Sequence, residues 1–373
     1  MSDIRPATNQ DLNALLQIER DCFQSDRLSK RSFQRFIKPG SHRLRILEMD
    51  GQTIGYALTL FRSGTNLARL YSIALLPEYR GRGFAKQLLS DAESEAADSL
   101  CAFIRLEVSE SNPAATRLYQ SSGYKAIGKI PAYYEDGSTA VRMEKRLHKL
   151  GQGFCSNSPY YQQTTEFTCG PASLMMALKE LQTDYQLTPS LELALWREAT
   201  TIFMTSGHGG CSPHGLALSA WKRGFAVKLY VSSSDIPFID GVRNIHKKEV
   251  IELVHADFVR QIAATDIESY DQTLSFEEWK EILARKQPLL ALISTWRLNR
   301  NKAPHWVYIA ASDDRFVYIN DPDPDENPLA SPADFQCVPI EHQLFWQIAR
   351  FGQQKLRALI QISKHQQASE KTD

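Results

Sequence analysis

The sequence predicts two domains of the α/β (α+β) class, joined by a short linker. A length of 373 residues exceeds that of one ordinary domain. Helix-like and strand-like segments alternate up to residue 147 and again from residue 159. Residues 148–158 contain two glycines and mainly polar residues, without periodicity, as linkers do. We therefore expect domains at 1–147 and 159–373, with disorder in the tail from about residue 366.

Composition excludes several classes of protein. The net charge is zero, and the halves carry +4 and −4, so neither has the basic excess of a nucleic-acid binder. The chain lacks a signal-peptide core and any apolar run of the ~18–20 residues that span a bilayer. Six cysteines are spread without a CxxC motif, which favours reduced thiols and no disulfide framework. We expect a cytoplasmic protein that contacts neither membrane nor nucleic acid.

The first half reads as a regular series of helices and strands. Thr8 followed by Asp11 predicts the start of an amphipathic helix. Further helices are predicted at 30–37, 84–97 and from 112 to 123, and strands at 44–49, 53–61, 67–76, 101–109, 124–130 and 139–147. The strand at 67–76 leads into Arg80-Gly81-Arg82-Gly83, which opens the helix at 84. Backbone N–H groups, the helix dipole and two arginines could bind phosphate there, although an ordinary strand-to-helix loop has the same pattern.

Residues farther along make the phosphate interpretation specific. Arg80-x-x-Gly83-x-Ala85, then Glu107, Asn112 and Tyr119-x-x-x-Gly123-Tyr124, resemble the GNAT family of N-acetyltransferases. The ribosomal-protein-alanine N-acetyltransferases are the most similar subgroup, and the resemblance covers residues 3–147. It implies acetyl-CoA as the acetyl donor and an amine as the acceptor.

The same resemblance implies roles for individual residues. Glu107 would accept the amine proton, directly or through water, and Tyr119 would protonate the departing CoA thiolate. The cofactor-binding residues would be Ile73, Ala74, Leu75, Arg80, Gly81, Arg82, Gly83, Phe84, Ala85 and Asn112. Tyr133 and Tyr134 would gate the acceptor peptide. Each role has a structural alternative. Glu107 could be a strand carboxylate paired with an arginine, and Tyr119 could be a core tyrosine. Tyr133 and Tyr134 could pack as ordinary aromatic residues of a loop.

In the second half, Cys169 stands where a helix begins. Thr168 or Cys169 can cap the helix, and Pro171 suits its first turn. The positive end of the helix dipole favours the nucleophilic thiolate. A lone cysteine at such a position is more often structural, so residues farther along the chain must decide whether Cys169 is a nucleophile.

The stretch 304–322 supplies such residues. Two apolar strands flank the polar turn Ser312-Asp-Asp, which predicts a hairpin. A three-residue loop at 312–314 would pair 311 with 315 and place His305 directly opposite Asp321, about 5 Å apart. That distance lets a carboxylate orient an imidazole, provided that the register is right.

The rest of this half adds structure but no metal site. Helices are predicted at 191–200, 213–222, 244–263 and 276–285, and strands at 225–231, 287–294 and 355–362. His208, Cys211 and His214 lie in an irregular glycine-rich loop without an obvious fourth ligand. We expect this loop to line a cleft and bind no metal.

Together, Gln163-x5-Cys169-Gly170-Pro171-Ala172 and Pro304-His305-Trp306 with Asn320-Asp321-Pro322 resemble peptidase family C39 and its C39-like relatives. The resemblance implies a papain-like α+β fold. Cys169 would be the nucleophile, His305 the general base, Asp321 its orienter and Gln163 the oxyanion-hole donor. Gln162 is adjacent, but the six-residue spacing favours Gln163.

These observations predict a bifunctional enzyme that modifies peptides or proteins. One domain would acetylate an amine, and the other would hydrolyse an amide. Relatives with this fusion are often encoded beside ATP-grasp peptide ligases, which makes such a ligase a candidate pathway partner. Two alternatives stay open: a non-catalytic, peptide-binding C39-like half, and acetylation of a small-molecule amine.

Overall fold

The computed structural model describes residues 2–62, 64–147, 158–201, 209–233, 235–242, 244–296, 303–323, 332–352 and 354–365. The chain divides into two compact units, Met1–Lys149 and Leu150–Asp373. Each contains a seven-stranded, mainly antiparallel sheet with helices, so the predicted fold class is confirmed. The predicted linker, apart from Ser158, and the tail from residue 366 lie outside the described residues. In the part that is described, no helix combines the length and apolar composition that crossing a bilayer requires.

The first unit has one sheet in the order β1-β2-β3-β4-β5-β7-β6. Its strands are β1 (Ser2–Pro6), β2 (His42–Met49), β3 (Gln52–Phe61), β4 (Leu67–Leu75), β5 (Phe103–Ser109), β6 (Lys125–Ile130) and β7 (Ala140–Arg146). Its helices are α1 (Leu12–Cys22), α2 (Lys30–Ile37), α3 (Phe84–Asp98) and α4 (Pro113–Ser121). The Thr8–Asp11 capping box is present, and it caps a short 3-10 turn that leads into α1.

A bulge and a short parallel ladder open this sheet at its centre. Strands β4 and β5 pair in parallel only from Leu67–Phe103 to Arg69–Arg105. The register of β3 with β4 then jumps from Thr59–Leu70 to Leu58–Ser72, so that Tyr71 is an extra residue. Bulges of this kind bend a strand and increase its twist. The later half of β4 therefore runs beyond the ladder that joins it to β5, which leaves room for a ligand against its backbone.

The second unit has a sheet in the order β13-β12-β11-β10-β14-β8-β9. Its strands are β8 (Phe225–Val231), β9 (Glu268–Asp271), β10 (Leu289–Ser294), β11 (Pro304–Ser312), β12 (Phe316–Asn320), β13 (Val338–Glu341) and β14 (Ala358–Lys364). Its helices are α5 (Cys169–Leu181), α6 (Pro189–Ala199), α7 (Pro213–Trp221), α8 (Ile245–Ile262), α9 (Phe276–Ala284) and α10 (His342–Ile348). Residues 169–178 of α5 are all buried, as expected of a helix that is apolar all round.

The hairpin of β11 and β12 corrects the predicted register. Residues 308 and 320 pair, as do 312 and 317, with an irregularity between Ile309 and Ala311. The predicted pairs 311–315 and 305–321 are therefore wrong. The Asp313 carboxylate accepts from the N–H groups of Arg315 (3.0 Å) and Phe316 (2.8 Å), so an Asx-type turn over residues 313–316 replaces the expected three-residue loop.

The thiols also depart from one expectation. Cys22, Cys101, Cys169 and Cys211 are free, as predicted, but Cys337 is disulfide-bonded. Cys155 lies outside the described residues. The widely spaced cysteines gave no indication of this bond, because proximity in the fold rather than spacing along the chain decides which thiols meet.

Candidate active sites

The glycine-rich loop before α3 has a backbone that suits an anion. Gly81 and Gly83 have φ angles of 75° and 85°, in the left-handed region that favours glycine. A Cβ built on either would meet nothing within 4 Å, so the loop is open above both. The N–H groups of the first turn of α3 lack intrahelical partners and face the same region. Residues 80–85 therefore fit a pyrophosphate such as that of CoA.

Residues 73–75 lead from the bulge of β4 toward that loop. They pair with residues 55–57 of β3 on one side. The Leu75 carbonyl accepts hydrogen bonds from Arg80 Nε (3.1 Å) and from the Cys22 thiol (3.3 Å). The strand end and the loop are thereby fixed to each other, which lines up the two segments predicted to bind the donor.

Glu107 lies on β5 inside a buried ion-pair cluster. Arg69 Nε is 2.9 Å from its Oε2, and Arg142 Nε is 3.3 Å from its Oε1. The side chain of Glu107 is only 5% exposed. Arg69 also donates to the Tyr133 hydroxyl at 2.5 Å. A carboxylate has about four acceptor positions, so these two contacts leave capacity for a water or an amine.

Tyr119 and Asn112 both lie at α4. Burial raises the pKa of Tyr119 far above that of a free phenol, so the hydroxyl is protonated at neutral pH, as a proton donor must be. Its ring is 5.7 Å from that of Tyr124. Asn112 caps the helix, because its Oδ1 accepts from Ala115 N–H at 3.0 Å. The observed role of Asn112 is thus to fix the start of the helix that carries Tyr119.

Sequence reasoning missed Arg69 and Tyr71 of β4. The Arg69 guanidinium lies 5.5 Å from the Tyr71 ring centre, beside the bulge. Burial raises the pKa of Tyr71, which is within electrostatic reach of Arg69, Asp26, Glu19 and Glu107. Polar residues two apart in an otherwise apolar strand were the available signal.

The candidate nucleophile of the second unit is Cys169, the first residue of α5. The residue is 8% exposed, and Thr168 is the N-cap residue. His305, on β11, lies close enough to the Cys169 thiol to interact with it, and it hydrogen-bonds the Asp321 carboxylate, with Nε2 to Oδ1 at 2.7 Å. Since Nε2 faces Asp321, Nδ1 is the nitrogen available to the thiol. The three side chains therefore form a continuous Cys–His–Asp relay.

The environment of His305 favours its charged form. Burial alone lowers the pKa of His305, but the Asp321 carboxylate and the Cys169 thiol more than offset this and raise it well above the usual value. An imidazolium beside a thiol stabilises the thiolate. The structure therefore favours a charged imidazolium beside the Cys169 thiol.

Gln163 lies beside the same relay. Its Nε2 donates to Asp323 Oδ1 at 3.1 Å, and its backbone N–H donates to the Pro322 carbonyl at 2.9 Å. Asp323 N–H donates in turn to Asp321 Oδ1 at 3.1 Å. Segment 321–323 thus holds both the orienter of the histidine and the predicted oxyanion-hole donor. The amide group has a second N–H proton for an oxyanion.

Sequence reasoning also missed Glu192, and it considered Cys211 only as a metal ligand. Glu192, on α6, is fully buried and hydrogen-bonded to the loop that carries Gln163. Cys211 is buried beside α5, where a Cβ on Gly170 would lie 3.1 Å from its own Cβ. Glu192 has no motif around it. Their contacts depend on helix packing that no spacing in the sequence encodes.

The described residues contain no cluster of histidine, cysteine or acidic groups that could hold a metal ion. His214 is buried, and its ring lies 4.8 Å from that of His255. Burial and His255 lower the pKa of His214 to about 4. His208 lies outside the described residues.

Comparisons with known proteins match the two halves of the chain to two different families. The "Peptidase_C39 like family" matches residues 158–363, and the "Acetyltransferase (GNAT) domain" matches residues 5–147. An uncharacterized N-acetyltransferase of Methanocaldococcus jannaschii is 33% identical over 144 residues, covering 38% of this chain and 90% of that protein. A putative [ribosomal protein bS18]-alanine N-acetyltransferase of Bacillus subtilis is 28% identical over 142 residues, covering 38% and 92%.

Among solved structures, the ribosomal-protein-S18-alanine N-acetyltransferase of Escherichia coli is 27% identical, with a TM-score of 0.37, and the match covers 41% of this chain and 97% of that one. GNAT acetyltransferases use acetyl-CoA as the acetyl donor, and both predicted resemblances are confirmed. The chain belongs to the Peptidase_C39 like family through residues 158–363 and carries a GNAT acetyltransferase domain in residues 5–147.

Proposed function

We propose that this protein is a bifunctional enzyme that acetylates the amine of a peptide or protein and hydrolyses an amide bond through Cys169. The observation that carries the second activity is the contact of His305 with both the Cys169 thiol and the Asp321 carboxylate. A structural cysteine needs neither a base nor an orienter. The first activity rests on the open centre of the first sheet and the glycine-rich loop.

In the acetyl transfer, residues 80–85 hold the pyrophosphate, and the backbone of residues 73–75 aligns the pantetheine. The acceptor amine attacks the thioester carbonyl, and the carbon–sulfur bond breaks. Glu107, held by Arg69 and Arg142, takes the proton of the amine through water. Tyr119 gives its proton to the CoA thiolate and recovers one from solvent.

A peptide or protein amine is favoured as acceptor for two reasons. Relatives named N-alpha-acetyltransferase, in Sulfurisphaera tokodaii, and ribosomal-protein-alanine acetyltransferase, in Bacillus subtilis, support it. Tyr133 and Tyr134 pack edge to face at 4.9 Å, and Tyr134 lies within electrostatic reach of Glu107 and Tyr119. Two aromatic rings beside the proposed base suit an extended peptide better than a compact polyamine.

In the hydrolysis, His305 takes the thiol proton and the Cys169 thiolate attacks the amide carbonyl. Gln163 Nε2 and the Cys169 backbone N–H stabilise the negative oxygen. His305 then protonates the leaving amine, and water, deprotonated by His305, releases the acid from Cys169. Asp321 keeps the imidazole oriented throughout. An ATP-grasp peptide ligase as pathway partner stays a prediction from the resemblance.

The acetyltransferase proposal is tested by a substrate panel and by donor binding. Peptides with free N-termini should be acetylated, and turnover of polyamines or aminoglycosides alone would contradict the peptide assignment. Thermal stabilisation by acetyl-CoA should vanish in Arg80→Glu. Arg31→Glu, an exposed charge reversal on α2, is the matched control and should retain it.

The thiol proposal is tested by alkylation and by cleavage. At neutral pH, iodoacetamide should label Cys169 faster than the half-buried Cys22. Equal rates would favour the non-catalytic, peptide-binding alternative. Mass spectrometry of cell-extract peptides, with wild type against Cys169→Ala, should then identify the bond that is cleaved.

A further inference from the structure

One buried carboxylate binds the whole loop between the oxyanion-hole donor and the nucleophile. Glu192 Oε1 accepts from Thr164 N–H at 2.8 Å and from the Thr168 hydroxyl at 2.5 Å. Its Oε2 accepts from the Thr164 hydroxyl at 2.8 Å and from the Tyr161 hydroxyl at 2.9 Å. Glu192 and Thr168 are both fully buried. All four donors come from residues 161–168.

The anchored positions bracket the reacting groups. Tyr161 and Thr164 lie on either side of Gln163, and Thr168 directly precedes Cys169. The backbone carbonyl of Thr168 also accepts the first helical bond of α5, from Ala172 N–H at 3.0 Å. Glu192 therefore anchors the loop on both sides of Gln163 and at the residue before Cys169.

A carboxylate is the group that this position requires. Each oxygen receives two donors, so four acceptor positions are filled. In a glutamine of the same shape, the NH₂ group can face only the Thr164 and Tyr161 hydroxyls, because the Thr164 N–H cannot accept, and both hydroxyls must then reverse their hydrogen bonds. The protons of the reversed hydroxyls then lack their acceptor, and an unpaired buried donor is costly, so the loop would move to restore its hydrogen bonds.

We propose that Glu192 is a positioning residue for the thiol hydrolase, which sets the oxyanion-hole donor Gln163 against Cys169 without touching substrate. This inference rests on the proposed hydrolase activity. Glu192 contacts neither His305 nor Asp321 in the hydrogen bonds described, so it acts on one side of the site only. It governs acyl transfer, which builds an oxyanion, and leaves the activation of the thiol to His305.

Two reactions of the same thiol separate these effects. Alkylation by iodoacetamide displaces iodide and forms no oxyanion, so its rate reports the Cys169–His305 pair. Acylation by p-nitrophenyl acetate passes through a negatively charged oxygen, so its rate reports the donors as well. The ratio of the two rates in the full chain isolates the contribution of the loop, after subtraction of the Cys169→Ala background.

Glu192→Gln should lower the acylation rate about 10- to 100-fold, the effect of a displacement of up to 1 Å, and change alkylation by less than about threefold. Gln163→Ala should produce the same pattern, and the double variant should be little worse than either, because both remove one function. Glu198→Gln is the matched control on α6, where that half-buried carboxylate pairs with Arg223. It should keep the wild-type ratio.

Tyr161→Phe removes one of the four hydrogen bonds to Glu192, and it tests the positioning role if Glu192→Gln does not fold. A roughly threefold fall of the ratio with an unchanged melting temperature supports the proposal. An unchanged ratio in Tyr161→Phe, or equal losses of both rates in a folded Glu192→Gln, overturns it. Failure of the hydrolase proposal looks different, because wild-type Cys169 would then alkylate no faster than Cys22.

Discussion

Asp321 and Glu107 are buried carboxylates at the two proposed reaction centres, but they hold different partners. Asp321 hydrogen-bonds the imidazole of His305, whereas Glu107 pairs with the guanidinium groups of Arg69 and Arg142. An imidazole exchanges its proton near neutral pH, and a guanidinium does not. Asp321 can therefore act through its neighbour, by making His305 a stronger base. Glu107 has no such neighbour, so it must either accept the amine proton itself or serve only to balance the charge of the two arginines.

The comparison teaches that a carboxylate in a site is defined by its partners. Asp321 should matter through the histidine that it charges and orients. Glu107 has two acceptor positions left, and its effect should be smaller because its charge is already shared with two cations. The following variants test this order.

Asp321→Asn should have the largest effect. Without the carboxylate, burial lowers the pKa of His305 and the imidazole loses its orientation, so acylation of Cys169 by p-nitrophenyl acetate should fall about 10⁴-fold. Asp314→Asn, in the exposed turn of the same hairpin, should be neutral. A loss of less than tenfold in Asp321→Asn would contradict the relay.

Glu107→Gln should reduce kcat of acetyl transfer about 100-fold, the lower end of the contribution of a general base. CoA release with a thiol reagent measures it. Glu144→Gln is the matched control, because Glu144 forms an ion pair of 2.7 Å with the buried Arg105 in the same sheet. Equal losses in both variants would assign Glu107 a purely structural role.

These two predictions depend on elements of the fold that could be predicted from the sequence to different degrees. Helix α2 and the strand Phe225–Val231 were predicted to the residue, because their periodicity and flanking signals agree. Strands β1, β9 and β13 were missed, since they are short and only partly apolar, and pairing with a neighbour rather than propensity forms them.

The predicted register of the hairpin was wrong, but His305 and Asp321 do lie close together as predicted. Continuing the Tyr308–Asn320 pairing would put His305 opposite residue 323, two residues beyond Asp321. A shift of two keeps both side chains on one face, so the diagonal pair still meets at 2.7 Å. The arginines around Glu107 and the loop contacts of Glu192 come from separate elements, which sequence patterns do not relate.

Tyr119→Phe should lower kcat of acetyl transfer about tenfold, less than Glu107→Gln, because water can protonate a thiolate in place of the phenol. KM for acetyl-CoA should stay unchanged. Tyr124→Phe, which alters the buried tyrosine in ring contact with Tyr119, is the control. If both variants lose activity equally, Tyr119 is a core tyrosine.

His214→Gln should have the smallest effect, on stability alone. Burial lowers the pKa of His214 to about 4, so the folded state resists a proton that the unfolded state binds from pH 6.5 downward. Between pH 6.5 and 5.5 this group should cost about 1 kcal/mol of unfolding free energy. Urea titrations at pH 6.5 and 5.5 should show that the free energy of unfolding decreases less in the variant than in the wild type. An unchanged decrease would show that His214 titrates normally.

The bulge in β11 has a consequence for how this hairpin tolerates change. The irregularity at residue 310 lies between the turn and His305, so the strand segment that carries the histidine is paired independently of the turn. Side chains at 305 and 309 are held by β10, where His305 pairs with Ile293 and Ile309 with Leu289. If the turn after residue 312 were lengthened or replaced, the irregularity in β11 would absorb the change, and the position of His305 would stay the same. The hairpin tip can therefore be exchanged, as an epitope or a label, while the hydrogen-bonded pair of His305 and Asp321 stays in place.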